Sequence, residues 1–286
     1  MYEFNPTILI YKEDFYSLIR CESDVTEWTK SKLSYKLCKL DNNFNILTSN
    51  LCTFKINNEI FTTTTERDSI KKDRYCIEDI KIIKHSINDE IIGVANILIQ
   101  QKPYRIFRVG LIKLNIDINR IELIKILEVD NMNDTEKNWL VFKHNNKFLV
   151  IYKLFPSCKI YELNITDFTM RNYKEFDTKY IINKYDYLLK NINHYYNNLY
   201  FTPSCILDND NNGNYILIVK VRKSNNNYYY YNLILNFDNF YIDILPKLLF
   251  SGNKYYLNDL MIYNNNIIGC FGIEDKKYEI KYLNII

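Results

Sequence analysis

Polar and charged residues recur at matching places in an otherwise apolar chain. Asn5-Pro6, Glu78-Asp79, Glu136-Lys137-Asn138-Trp139, Thr202-Pro203 and Asn258-Asp259 each stand just before a hydrophobic run. Arg20 with Glu22, Gln100, Lys153, Lys220 and Glu274-Asp275 stand at the far end of the run that follows. Acids and bases mixed in this way can bind a polar ligand where the fold brings them together, and a concave site with a few convergent polar groups is the default binding hypothesis. The competing reading is that each is a salt bridge or cap holding two parts of the fold together. Metal or thiol chemistry is not indicated. The cysteines at 21, 38, 52, 76, 158, 205 and 270 form no Cys-x-x-Cys pair, and the three histidines are scattered.

The elements that must position these residues are strands. The chain has 286 residues, 26 Tyr and 16 Phe, is rich in Ile and Asn, and has Ala95 as its only alanine. Ile, Tyr and Phe suit pleated, half-buried surfaces, whereas Ala is the best helix former. One phrase repeats: apolar strand, polar turn, apolar strand. It occurs around Lys12-Glu13-Asp14, Asn88-Asp89-Glu90, Asn145-Asn146, Asn211-Asn212-Gly213 and Asn264-Asn265-Asn266. Asn, Asp and Gly clusters between β-formers are the strongest short-range hairpin signal.

A second pair of strands fills each interval. Ser34–Leu40 turns into Asn45–Phe54, Phe107–Ile116 into Ile121–Glu128, Lys159–Leu163 into Met170–Phe176, and Tyr228–Asn236 into Phe240–Leu245, with Lys277–Leu283 as a last strand. Four antiparallel strands per unit, in five units of about 57 residues, is β-propeller arithmetic. The reading is an all-β, five-bladed β-propeller forming one domain over residues 1–286, with a possible insertion, partly helical, at 177–198. In a propeller the first strand of each blade lines the axis, so the polar clusters converge there.

Charge and sequence character exclude other classes. Lys and Arg number 37 against 34 Asp and Glu, and a formal charge of +3 is too small for a nucleic-acid binder. The longest apolar run, Ile91–Ile99, contains Gly93 and Asn96 and is far short of the roughly 20 residues of a membrane span. The start has no basic region followed by an apolar one, which reads as no secretory signal and a cytoplasmic protein with free thiols. On that reading the sequons at Asn133 and Asn164 are accidental.

The ordered series of motifs resembles the five-bladed propellers of glycoside hydrolase family 130, the β-mannoside phosphorylases and hydrolases, and their glycosyltransferase relatives. Phe4-Asn5-Pro6-Thr7 followed by Leu18-Ile19-Arg20 is similar to the family's first-blade start. Glu78-Asp79-Ile80-Lys81 sits where the family has Glu-Asp-Pro-Arg, and Arg108-Val109-Gly110-Leu111 resembles the strand that follows. Glu136-Lys137-Asn138-Trp139 and Tyr152-Lys153-Leu154-Phe155-Pro156 resemble its third-blade motifs, Thr202-Pro203-Ser204 the start of its fourth blade, and Gly272-Ile273-Glu274-Asp275 its last-blade Gly-Ala-Ala-Asp.

The resemblance implies an inverting reaction in which Asp79 is the general acid that protonates a leaving glycosidic oxygen. It implies a phosphate site at Lys137, Lys153 and Lys220, the last two replacing a family arginine and histidine, with inorganic phosphate as co-substrate and no other cofactor. Asn5, Arg20 and Asp275 would hold the sugar, with Glu78, Asn138 and Trp139 beside them, and Trp139 or Phe155 would stack on a sugar face. Two alternatives stay open. One is a glycosyltransferase that builds a glycan from a phosphate-activated sugar; the other is a non-catalytic glycan-binding propeller. The expected ligand is an oligosaccharide or sugar phosphate, and the sequence assigns no oligomeric state.

Overall fold

In the computed structural model, all residues are described except 24–29, 65–74, 84–89, 101–102, 155–156, 181–201, 209–213, 223–226, 237–238, 254 and 284–286. The chain forms five sheets in sequence order around a common axis, a five-bladed β-propeller. The first blade is β1 (Tyr2–Tyr11), β2 (Asp14–Glu22), β3 (Leu33–Leu40) and β4 (Ile46–Leu51). The second has β5 (Thr53–Ile56), β6 (Glu59–Phe61), β7 (Cys76–Ile82), β8 (Ile91–Gln100), β9 (Ile106–Asn115) and β10 (Arg120–Leu127). The third has β11 (Leu140–His144), β12 (Lys147–Lys153), β13 (Ser157–Leu163) and β14 (Met170–Asp177). The fourth has β15 (Thr202–Asp208), β16 (Asn214–Arg222), β17 (Asn227–Asn236) and β18 (Tyr241–Asn253). The fifth has β19 (Tyr255–Tyr263), β20 (Asn266–Ile273) and β21 (Lys277–Leu283).

The predicted hairpins fall at these places because their turn residues accept a left-handed backbone. Lys12 and Glu13, Asn145 and Asn146, and Asn264 and Asn265 all have positive φ, the pairing that type I′ hairpin turns require. Two details differ from the sequence reading. The run 45–54 is not one strand: the chain leaves the first blade at Cys52, and β5 pairs in parallel with β10, so the β5–β6 hairpin extends the second blade to six strands. The polar clusters also do not precede the inner strands; most lie within them. The turns at 88–89 and 211–213 and the segment 181–198 lie outside the described residues.

One apolar core fills each seam between neighbouring blades, as twisted sheets packed face to face require. Leu9, Leu18 and Tyr35 meet Ile77, Ile80, Ala95 and Ile97 between the first and second blades. Val94, Val109 and Leu111 meet Trp139, Val141 and Val150 between the second and third. Leu149 and Ile151 meet Leu217 and Leu235 at the next seam, and Ile218 meets Leu257 and Phe271 at the fourth. Ile8, Phe15 and Ile19 meet Met261, Ile268 and Cys270 where the ring closes.

Among the described residues, the ring closes without a shared strand. β1 pairs only within its own blade and packs against β19, β20 and β21. Polar bonds complete the closure: Asp259 accepts from the Thr7 hydroxyl and from the Ile8 backbone N–H at 3.0 Å.

Candidate functional site

The inner strands carry the candidate residues on bulges. In β1, Phe4 pairs with Arg20 and Thr7 with Leu18, so Asn5 and Pro6 together face one residue, Ile19. In β7, Glu78 pairs with Asn96 and Lys81 with Val94, so Asp79 and Ile80 face Ala95. Shifts at equivalent points leave Ser204 extra in β15 and Asn258 extra in β19. Bulges re-aim a side chain and are over-represented beside active sites. Pro6, which has no N–H to give a ladder, is tolerated at such a position. Asn5, Asp79 and Asn138, just before β11, all take a left-handed backbone, with φ of 49°, 48° and 61°. Asn and Asp accept that conformation more readily than other side chains.

Asp79 is the meeting point. Its Oδ1 accepts from Asn5 Nδ2 at 2.8 Å and from Arg20 Nη1 at 2.7 Å, and its Oδ2 accepts from Asn96 Nδ2 at 3.3 Å. Arg20 is buried, donates to Glu22 through Nη2 at 2.9 Å, and lies over the Phe4 ring. Asn96 Oδ1 accepts from the Asn138 backbone N–H at 3.0 Å, which brings the third blade into the network. Asn258 Nδ2 donates to the carbonyls of Asn5 at 3.2 Å and Pro6 at 2.9 Å, which brings in the fifth. Lys137 Nζ stands 3.5 Å from Glu78 Oε2 and 3.3 Å from the centre of the Phe107 ring. Four blades thus contribute to one polar cluster, and the Asp79 side chain within it keeps 22% of its surface exposed.

Electrostatics decides the state of Asp79. Burial opposes its charge, but Arg20 and Lys137, with the hydrogen bonds from Asn5 and Arg20, outweigh burial and hold the carboxyl well below its ordinary range. Arg20 stays charged for the complementary reason: burial works against it, and Asp79, Glu78 and Glu22 more than compensate. Tyr35 packs beside them with its phenol pushed far up by burial. These neighbours favour the carboxylate form, suited to accept a hydrogen bond or to face developing positive charge.

Asn5, Arg20, Glu78, Asp79, Lys137 and Asn138 come together as expected from their places in the sequence. Trp139 does not join them as a stacking platform. It is 1% exposed, lies edge-on to Tyr152 and donates from Nε1 to Glu136 at 3.3 Å, so it is a core residue with no face for a ligand. Lys153 is exposed at the end of β12 and its charge acts on Glu175. Asp275 is half-buried in the β20–β21 turn with φ of 55°. The side chain of Lys220 and the whole of Phe155 lie outside the described residues.

The sequence reading missed Asn96 as a site residue and understated Glu136. Asn96 is a buried amide inside an apolar run, and that mismatch was its signal. Glu136 accepts from Asn133 N at 2.7 Å, from Trp139, and from the Tyr152 hydroxyl at 2.7 Å, pinning the segment that carries Lys137 and Asn138. Among the described residues, no group of three or more His, Cys, Asp or Glu is placed to hold a metal ion.

No protein-family model matches the chain, and no curated protein does. Solved structures do. The chain is similar to a β-xylosidase (TM-score 0.63, 8% identity, 100% of this chain and 93% of that one). It is similar to the GH43_1 enzyme from Xanthomonas citri complexed with xylotriose (TM-score 0.60, 6% identity, 99% and 87%). It is also similar to the β-1,2-mannobiose phosphorylase from Listeria innocua in complex with β-1,2-mannobiose (TM-score 0.57, 13% identity, 97% and 88%). At these identities the likeness is one of fold, and the fold shared with these carbohydrate-active enzymes is the five-bladed β-propeller.

Proposed function

We propose that the protein binds an oligosaccharide at the mouth of the hub and acts on a glycosidic bond there, with Asp79 as its working carboxylate. The observation that carries this reading is Asp79 itself: held on a left-handed bulge by three donors and still open to solvent. Cleavage of a glycosidic bond develops positive, oxocarbenium-like charge, and a fixed carboxylate stabilises it. Water adds to the sugar carbon and the leaving oxygen takes up a proton as the bond breaks, while Arg20 and Lys137 favour the ionised Asp79 that faces the developing charge. Asn5, Arg20, Glu78 and Asn138 surround the place where sugar hydroxyls would bind.

The charge of the described hub argues against an anionic co-substrate. Arg20 and Lys137 face Glu22, Glu78 and Asp79, two cations against three carboxylates. Of the three lysines assigned to phosphate, only Lys137 stands in this cluster among the described residues. Hydrolysis of a neutral glycan fits better than phosphorolysis or transfer from a nucleotide sugar.

A panel of β-xylosides, β-mannosides and sugar 1-phosphates, with and without inorganic phosphate, tests the reading against Asp79→Asn. Turnover without phosphate, reduced about a hundredfold or more in the variant, is expected. Unchanged turnover in Asp79→Asn, or strict dependence on phosphate, would sink it. A glycan-binding propeller without turnover is the second reading, favoured by the fact that both Asp79 oxygens already accept from protein donors. The same panel separates the two, since that reading gives binding without product.

A further inference from the structure

Asn5 reaches Asp79 at an unusual cost. Its backbone is left-handed, and its Oδ1 is buried with no hydrogen-bond partner among the described residues. A buried acceptor left unmade, like a left-handed non-glycine residue, is unfavourable and calls for an explanation. The explanation lies in the last blade. A Cβ placed on Gly272 of β20 would stand 2.2 Å from Asn5 Oδ1 and 3.1 Å from the Asn5 backbone nitrogen. The overlap is with the end of the Asn5 side chain, so the amide must swing away from where it lies, and the backbone nitrogen at 3.1 Å must give by a few tenths of an ångström. With glycine at 272 the Asn5 Oδ1 can approach β20 while Nδ2 donates to Asp79. Asn258, from the strand beside it, holds the carbonyls of Asn5 and Pro6 in the same position.

We infer that Gly272 is a positioning residue for Asp79: with Asn258 it forms a seat in the fifth blade that presents the Asn5 amide of the first blade to the Asp79 carboxylate of the second. The inference rests on the reading of Asp79 as the working carboxylate, but its test needs no substrate. The charged and titratable groups around Asp79 are Arg20 and Glu22 on β2, Tyr35 on β3, Glu78 on β7, and Lys137 before β11. The three atoms nearest a Cβ at 272 all belong to Asn5, so Gly272→Ala acts on Asn5 first.

The measurement is a carboxyl-carbon NMR titration of the folded protein, with the Asp79 signal identified by its loss in Asp79→Asn. In the wild type that signal stays at its ionised position into strong acid. In Gly272→Ala its midpoint rises by about one pH unit, as it does in Asn5→Ala, because one charge-stabilising donor is gone. The double variant shifts no further than Asn5→Ala alone. An unmoved signal in a folded Gly272→Ala protein overturns the inference, and so does a further rise when Gly272→Ala is added to Asn5→Ala. If Gly272→Ala does not fold, Asn258→Ala must raise the midpoint instead, and its failure to do so is equally decisive. A glycan panel with no hits would refute the function proposed above and leave this titration unaffected.

Discussion

Arg20 donates to Asp79 at 2.7 Å and to Glu22 at 2.9 Å, so one buried guanidinium ties a carboxylate of its own blade to one across the seam. The cation satisfies two acids from two sheets, and the seam and the site share it.

Removing that cation takes the guanidinium away from the buried Glu22 and the part-exposed Asp79 together. Arg20→Met is expected to lower stability by about 3–5 kcal/mol in chemical denaturation. Arg20→Lys keeps the charge but loses the fork that reaches both partners, and should fall between the variant and the wild type. Equal stability of all three proteins would show that the pair does not hold the seam.

Asp79 also gives the fold an acid-side signature. Its carboxyl is held below its ordinary value of 3.8, so the stability it contributes is fully present above that value and is lost as pH falls below it. Asp79→Asn should therefore flatten the loss of stability below about pH 4. Asp41, Asp167 and Glu175 are also lowered, by hydrogen bonds from Asn45, Thr169 and Ser157, but all three stay in the variant and act alike in both proteins. Parallel stability–pH curves for variant and wild type would refute the assignment.

Trp139 should behave as a core residue. Trp139→Phe removes the indole N–H from Glu136 and is expected to cost about 1–3 kcal/mol. Glycan affinity should not change. A selective loss of affinity at unchanged stability would return Trp139 to the ligand site.

Asp259 is the polar clasp of the ring. Asp259→Ala removes an acceptor from the Thr7 hydroxyl and the Ile8 N–H, and should cost about 3 kcal/mol. Limited proteolysis should then cut sooner within the first blade, at residues that the seam protects in the wild type.

Much of this architecture was legible in the sequence because hairpins are local. The clusters at Lys12-Glu13 and Asn145-Asn146 carry their left-handed turn chemistry in their own residue types. The parallel pairing of β5 with β10 was not legible, since Thr53 and Arg120 are distant in the chain and nothing in either run names its partner. The site was half legible for the same reason. Asn5, Arg20 and Asp79 stood out as polar residues at repeated places, but their ionisation depends on distances across seams. Trp139 misled because an aromatic residue beside a lysine reads equally as core or platform, and burial decides which. Gly272 gave no sign, since its role is the space it leaves for a residue at the other end of the chain.

The closure without a shared strand has a consequence for how the molecule is made. Every sheet is built from an uninterrupted stretch of chain, so each can complete its pairing once that stretch has left the ribosome; in the second blade the β5–β10 pairing comes last. The meeting of Thr7 and Ile8 with Asp259, of Asn5 with Asn258 and Gly272, and the apolar seams on either side of the last blade must wait for it. Assembly of the Asp79 cluster is thus a final event, and a nascent chain stalled before β19 would carry four finished sheets and an unfinished site.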